Sequence, residues 1–345
     1  MNDTALQFGA RQDTTDAEVI SIAQLAEKLG YNTFFTGEAW GRDAFTVLTM
    51  IGCHTTTLRL GTGIVSVFSR TPGIIAQSIA SLDIISQGRA ILGLGTSGQL
   101  VIEDWHGVPY HRPVARTREY MEIIRQALSG GAVNYEGEFF QLKRFRMGAP
   151  PIQERLPIYL ASLGPKNLEL TGELADGWLP IWVHQERLPE LIGQVARAAG
   201  EVGRDISEIT VAPQIMCYAS EDDEDLAEAV QRIRGHMAFY IAGMGQYYYD
   251  LFCRSGFQAE ADAVREAWGN RERDKAAAAI SDNMLENIAV FGDPATCRAK
   301  LEQFRRSGAD MPIITFPQGS SLEGVRFTLQ ALAPQPVPAS TAPAS

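Results

Sequence analysis

The chain lacks any apolar run long enough to span a bilayer. A membrane helix needs about 20 consecutive apolar residues, whereas the longest apolar stretches here, such as Ala90–Leu94, have strand length. No basic segment followed by an apolar one stands at the N-terminus, so no secretion signal is expected. Histidine is scarce, with five in 345 residues and none in HxxxH or HxH spacing. The four cysteines (Cys53, Cys217, Cys253 and Cys297) are scattered and form no CxxC pair. A metal site needs clustered ligands, so none is assigned. The cysteines read as reduced thiols of a cytoplasmic protein. Basic charge is also short: 30 Lys and Arg face 41 Asp and Glu, for a net charge of −11. Phosphate backbones are bound by clustered Lys and Arg, so nucleic acid is a poor partner. The expected partner is a small molecule, with neither nucleic acid nor membrane.

What is present is a strand–helix alternation in a chain that is 45% hydrophobic. Strands are expected at Ala5–Ala10, Thr33–Thr36, Leu58–Val65, Ala90–Gly95, Pro157–Ala161, Gly177–Ile181, Ile209–Tyr218 and Pro312–Phe316. Ala90–Gly95 has no polar residue, as suits a parallel strand covered on both faces. Helices are expected at Asp16–Leu29, Phe45–His54, Gly73–Ser86, Thr117–Leu128, Lys166–Leu174, Leu188–Val202 and near Leu322–Leu332. Gly30 and Gly88 follow two of them as stops. Eight strands with helices between most of them predict an α/β fold, a (β/α)8 TIM barrel; an open doubly wound sheet is the alternative. Two segments break the rhythm. Trp105–Pro151 holds a small hairpin around Tyr135–Phe140, and Glu221–Glu302 reads as inserted helices before the last strand. Residues 1–333 are expected to form one domain, and the Pro, Ala and Ser tail at 334–345 to be disordered.

Barrel sites sit at the C-terminal ends of the strands. That rule selects Gly37-Glu38-Ala39-Trp40, Gly61–Ser66, Gly95-Thr96-Ser97-Gly98, Ala161–Pro165 and Pro180–His184. The Gly95–Gly98 loop offers small residues and two hydroxyls, and Ala161–Pro165 precedes a helix; either suits a phosphate, and either is also an ordinary turn. Gly93–Gly98 fits G-x-G-x-x-G, a pattern that does not by itself establish a dinucleotide fold, and no P-loop lysine follows. Glu38, at the end of a buried strand beside Trp40, is the acid–base candidate. Its structural alternative is to cap the next turn or pair with Arg42. Trp40, Trp105 and Trp182 are candidates for a ring-binding wall, with core packing as the alternative. Trp40, Trp182 and His184 are taken as the substrate pocket.

These motifs together resemble the luciferase-like flavin oxidoreductases, in their coenzyme F420-dependent branch, which includes methylene-tetrahydromethanopterin reductase and F420-dependent glucose-6-phosphate dehydrogenase. The resemblance runs from Gln7 to about Leu332. It rests on Phe35–Gly41, Arg59–Val65, Gly88–Gly95, Trp105–Tyr110, Glu173–Trp178 and His236–Gly245. It implies a non-prolyl cis peptide at Gly63-Ile64 behind the central ring of a deazaflavin. It also implies a cofactor phosphate against Ser66, Thr96, Ser97, Leu163 and Gly164; the family often has Gly where Leu163 stands. The glucose-6-phosphate dehydrogenases carry a catalytic histidine, a second acid and a phosphate-binding lysine where this chain has Ala39, Gly98 and His184, so sugar-phosphate oxidation is not expected. The resemblance implies hydride transfer between coenzyme F420 and a small organic substrate, in a homodimer. An FMN-dependent monooxygenase and a non-catalytic flavin-binding protein are the alternatives.

Overall fold

The computed structural model describes residues 3–9 and 14–334. The elements are strand β1 (Ala5–Gln7), helix α1 (Asp16–Lys28), β2 (Thr33–Thr36), α2 (Ala44–Gly52), β3 (Arg59–Thr62), β4 (Val65–Ser66), α3 (Pro72–Ile85) and β5 (Ala90–Gly95). After a π-helical turn at Val101–Trp105 come α4 (Pro113–Leu128), the hairpin β6 (Val133–Glu136) and β7 (Gln141–Phe145), β8 (Ile158–Leu160), α5 (Pro165–Leu174), β9 (Gly177–Trp178) and α6 (Leu188–Glu201). Then follow β10 (Thr210–Val211), β11 (Gln214–Ala219), α7 (Asp223–Gly243), α8 (Gln246–Arg254), α9 (Gln258–Gly269), α10 (Arg273–Ala278), α11 (Asp282–Ile288), β12 (Ala289–Gly292), α12 (Pro294–Arg306), β13 (Ile313–Thr315) and α13 (Leu322–Ala331).

All pairings in the main sheet are parallel, in the order β10-β9-β8-β5-β3-β2-β1-β13-β11-β12, with β4 on β5. The sheet is curled. Around Ala212-Pro213, which separates β10 from β11, Ala212 N–H donates to Trp178 C=O and Gln214 N–H to Pro180 C=O, both at 2.8 Å. Side chains alternate across it, as the pleat requires. Ala5, Phe35, Ile91, Tyr159, Leu179 and Ile313 form a small inner layer. Their neighbours Leu6, Phe34, Leu92, Leu160 and Ile314 pack outward against the helices in the larger core.

Local chemistry fixes the element ends. Thr15 and Glu18 form a reciprocal capping box on α1, whose Val19, Ile22, Ala23 and Ala26 are buried. Thr71 caps α3 with Pro72 in its first turn, and Asp293 caps α12 with Pro294 likewise.

Several boundaries depart from expectation. The first strand stops at Gln7 rather than Ala10, and the helix expected from Thr117 starts at Pro113, where proline is preorganised for a first turn. The strand expected at Leu58–Val65 is split in two, and so is that at Ile209–Tyr218. The segment Glu221–Glu302 is helical as expected but also contains β12, which pairs with the outer half of β11. The proposed disordered tail lies, from residue 335 on, outside the described residues. No helix among the described residues is long and apolar enough to cross a membrane.

Candidate active site

The site begins where β3 fails to run straight into β4. Gly61 pairs with Ile91 and Val65 with Leu94, so four steps on one strand face three on the other, a β-bulge with one extra residue. Thr62 makes the break tolerable: its Oγ1 accepts from the Gly93 N–H and donates to the Gly93 carbonyl, each at 2.8 Å. The Gly63-Ile64 peptide inside the bulge is cis. Gly37 on the adjoining strand end has to be glycine, because an ideal Cβ there would stand 2.5 Å from the Gly63 carbonyl oxygen. A Cβ on Gly95 would stand 3.1 Å from the Ile64 side chain. The bare backbone at Gly95 therefore leaves that face of Ile64 open.

Above this floor lies a cavity of ≈590 Å³, a size typical of small-molecule sites. Of the residues expected to bind cofactor, Gly63, Ile64, Thr96, Ser97 and Leu163 line it. Ser97 has left-handed backbone, φ +59°, uncommon for a residue with a side chain. Ser66 and Gly164 are not on the cavity surface. The Ser66 hydroxyl donates to the Thr96 carbonyl at 3.4 Å and accepts from the Phe68 N–H. The Gly164 N–H donates to the Tyr247 hydroxyl at 2.8 Å. Both support lining residues from behind.

The opposite wall comes from the inserted helices. Tyr240 of α7 and Tyr247 and Tyr248 of α8 face the strand ends, with Tyr110 beside them. Tyr240 and Tyr248 meet edge to face, ring centroids 4.6 Å apart. Burial raises the pKa of all four phenols. For Tyr247 the Gly164 and Leu163 N–H groups oppose that rise; for Tyr248 the neighbouring tyrosines add to it. All four therefore stay protonated O–H groups at neutral pH. Sequence reasoning missed this wall. The stretch His236–Gly245 was noticed only as a resemblance, without a role. Gln7, Gln214 and Asn167 were missed as well, although they too line the cavity. Gln7 Oε1 and Asn167 Oδ1 are buried without a hydrogen-bond partner.

Glu38, the acid–base candidate, reaches the cavity and also makes the turn-capping contact weighed as its structural alternative. The Arg70 guanidinium grips both its oxygens, one at 2.9 Å, and the Ala44 N–H at the start of α2 donates to Oε2 at 3.1 Å. Arg70 also reaches Asp43. Arg42, the partner weighed from sequence, pairs with Asp16 instead. The three proposed pocket residues fall elsewhere. Trp40 is 56% exposed and outside the lining. Trp182, with φ +58°, turns into the interior and packs edge to face on Tyr240 and His236, one layer behind the cavity wall. His184 stacks on Phe257 and lines a separate chamber of ≈140 Å³ with Arg187 and Arg254. Leu163 separates the two chambers, lining both.

A flat heterocycle fits this architecture: an apolar floor at Ile64 and Gly95, hydroxyls at Thr96 and Ser97, and the N-terminus of α5, where the helix dipole favours an anion. Among the described residues no group of three or more His, Cys, Asp or Glu is placed to hold a metal ion.

Comparison with known proteins gives concordant results. The sequence model of the family described as luciferase-like monooxygenase matches residues 4–311. The chain is 32% identical to a protein of Mycobacterium tuberculosis named as a coenzyme F420-dependent oxidoreductase, over 92% of this chain and 94% of that protein. It is 30% identical to the 5,10-methylenetetrahydromethanopterin reductase of Methanolobus tindarius, over 89% and 92% of the two chains. Among solved structures, the coenzyme F420-dependent tetrahydromethanopterin reductase of Methanopyrus kandleri superposes with a TM-score of 0.82 at 25% identity, covering 96% of this chain and 98% of that one.

Proposed function

Because the chain belongs to the luciferase-like monooxygenase family, we propose that it is an F420-dependent oxidoreductase transferring a hydride between the deazaflavin and a small organic substrate. The observation that carries this reading is the bulged third strand, which sets Ile64 as a flat apolar floor directly beside the Thr96–Ser97 hydroxyl loop in one cavity. The F420-dependent relatives support the choice of cofactor. The deazaflavin, when bound, supplies a ring carbon that gives or takes the hydride. The chain's own groups do the rest. Ile64 and Gly63 back the ring. Thr96, Ser97 and the N-terminal turn of α5 hold the phosphate. Leu163 closes that end, while Ser66 and Gly164 brace it. Glu38, held by Arg70, presents a fixed carboxylate at the rim, and four phenols face the cavity from the opposite wall.

We further propose that the curled sheet closes as a (β/α)8 barrel within a single domain, with the strand at 210–219 joining β9 to β13 and the inserted helices roofing the mouth. The hydrogen bonds from Ala212 and Gln214 to Trp178 and Pro180 support closure. A homodimer is proposed as well, for which exposed Ile74, Ile84 and Ile85 on α3 offer apolar surface; sedimentation velocity tests it.

The deciding experiment titrates the purified chain with F420 and, separately, FMN, following fluorescence. Micromolar binding of F420 and weaker binding of FMN are expected. Tight FMN binding with none of F420 would favour the oxygenase reading.

A further inference from the structure

The cavity and its neighbouring chamber divide charge between them. Among the described residues lining the ≈590 Å³ cavity there is no Lys, Arg or His, while Glu38, Glu103 and Asp250 are present. The basic side chains Arg187 and Arg254 lie beyond Leu163, in the small chamber. The three carboxylates are already engaged: Glu38 by Arg70, Glu103 by the Gln99 amide and the Tyr110 N–H, and Asp250 by the Gln246 amide at 2.6 Å. Glu38 is neutralised by Arg70, whereas Glu103 and Asp250, held by neutral donors, keep their charge at the partly exposed edge, where they repel an anion and water weakens their pull on a cation. Away from the Thr96–Ser97 loop and the start of α5, an anion entering from water would lose hydration and gain no charged partner.

The strand-borne floor is of another kind. Gln7 ends β1, Gln214 begins β11, and both strands pair with β13. Both carboxamides line the cavity. Neither side chain has a hydrogen-bond partner among the described residues, and Gln7 Oε1 is buried. A buried polar atom left unpaired costs about 1–3 kcal/mol; Gln7 Oε1, an acceptor closed off beside Gly63, recovers it when the side chain turns toward a ligand donor. A carboxamide carries both an acceptor and an NH2 donor, so it pairs with neutral carbonyl, amide or hydroxyl groups. Around the two amides the surface is apolar, with Ile64, Leu179 and Ile181.

We infer that the organic substrate is an uncharged molecule whose carbonyl, amide or hydroxyl group hydrogen-bonds to Gln7 and Gln214, and that anionic substrates are excluded. The inference rests on the reading of this cavity as an F420-dependent hydride-transfer site and names the substrate class of that site. The cofactor's own anionic group is accommodated at the opposite end, against Thr96, Ser97 and the start of α5.

The test uses the full chain and three probes sharing one ring: benzamide, benzoate and benzylammonium. F420 binding is measured first, by fluorescence. A chain that does not bind F420 removes the reading of the site and this inference with it. Calorimetric titration of the F420-loaded chain then separates the two. Benzamide should bind at least about tenfold more tightly than benzoate or benzylammonium. Gln7→Leu and Gln214→Leu should each weaken benzamide about fivefold while leaving F420 affinity and the melting temperature nearly unchanged. Equal or tighter binding of either charged probe, no binding of benzamide up to its solubility limit, or benzamide affinity insensitive to both variants overturns the inference while leaving the F420 site standing. So does loss of F420 affinity in Gln7→Leu, which would place that amide on the cofactor.

Discussion

The two walls of the cleft are built by opposite means. On the strand side, backbone sets the shape. Gly37 yields to the Gly63 carbonyl, Thr62 substitutes for a ladder pair, and Ser97 bends the loop left-handed. On the helix side, shape is set by packed aromatic rings: Tyr240 against Tyr248, with Trp182 and His236 behind them. A wall made of backbone is fixed by sterics and tolerates little; a wall made of rings is a packed core surface that can be repacked.

That contrast can be broken at four points, in order of expected effect. Gly37→Ala puts a methyl against the Gly63 carbonyl, a backbone group that cannot swing aside, and should cost about 3 kcal/mol and abolish F420 binding. An unchanged melting curve with F420 binding intact would show that the strand-side wall can yield after all.

On the helix side, burial depresses the His236 pKa from 6.5 to about 4, and no charged group contributes. The folded state holds the imidazole neutral while the unfolded chain protonates it below about 6.5. This contribution to stability is therefore complete above pH 6.5 and is lost as pH falls toward 4, by up to about 3 kcal/mol. His236→Phe should flatten that part of the stability–pH curve relative to the parent; parallel curves between pH 4 and 6.5 would rule it out.

At the rim, Arg70→Met strands the half-buried Glu38 carboxylate and should destabilise the fold by about 2 kcal/mol. Glu38→Gln, which keeps the shape, should cost about 1 kcal/mol and leave F420 binding within about twofold. Full stability together with lost turnover in Glu38→Gln would restore Glu38 as the acid–base group. The smallest effect belongs to a hydrogen bond that ties the two walls together. Tyr247→Phe removes the acceptor for the Gly164 N–H and should weaken F420 about fivefold, some 1 kcal/mol; fluorescence titration reads it directly.

How far the residues announce all this depends on what fixes them. Thr33–Thr36 and Ala90–Gly95 match the strands residue for residue, because a parallel strand buried on both faces is an uninterrupted apolar run between turn signals. The glycine and hydroxyl loops could be placed for the same reason: their chemistry is local. β12 was hidden, since four residues directly after a helix with a single pairing partner leave no periodic trace. Gln7 escaped notice because the first strand was expected to run on to Ala10, which made it a mid-strand residue rather than a strand end. Trp40, Trp182 and His184 follow strands as pocket residues do, yet a left-handed turn at Trp182 and long-range stacking of His184 on Phe257 decide where they point. The same limit applies to Glu38, whose partner Arg70 stands 32 positions away.

The edge contact between Trp182 and Tyr240 gives the molecule a built-in optical reporter. Trp182 is 3% exposed, and its indole N–H has no partner. Its emission should be blue and protected from aqueous quenchers, whereas Trp40 and Trp105, both largely exposed, should be red-shifted and readily quenched by iodide. Tyr240, which lines the cavity, packs edge to face on the Trp182 indole. Any occupant that shifts that phenol changes the environment of Trp182, and a Trp178→Phe background removes the other fully buried indole from the signal.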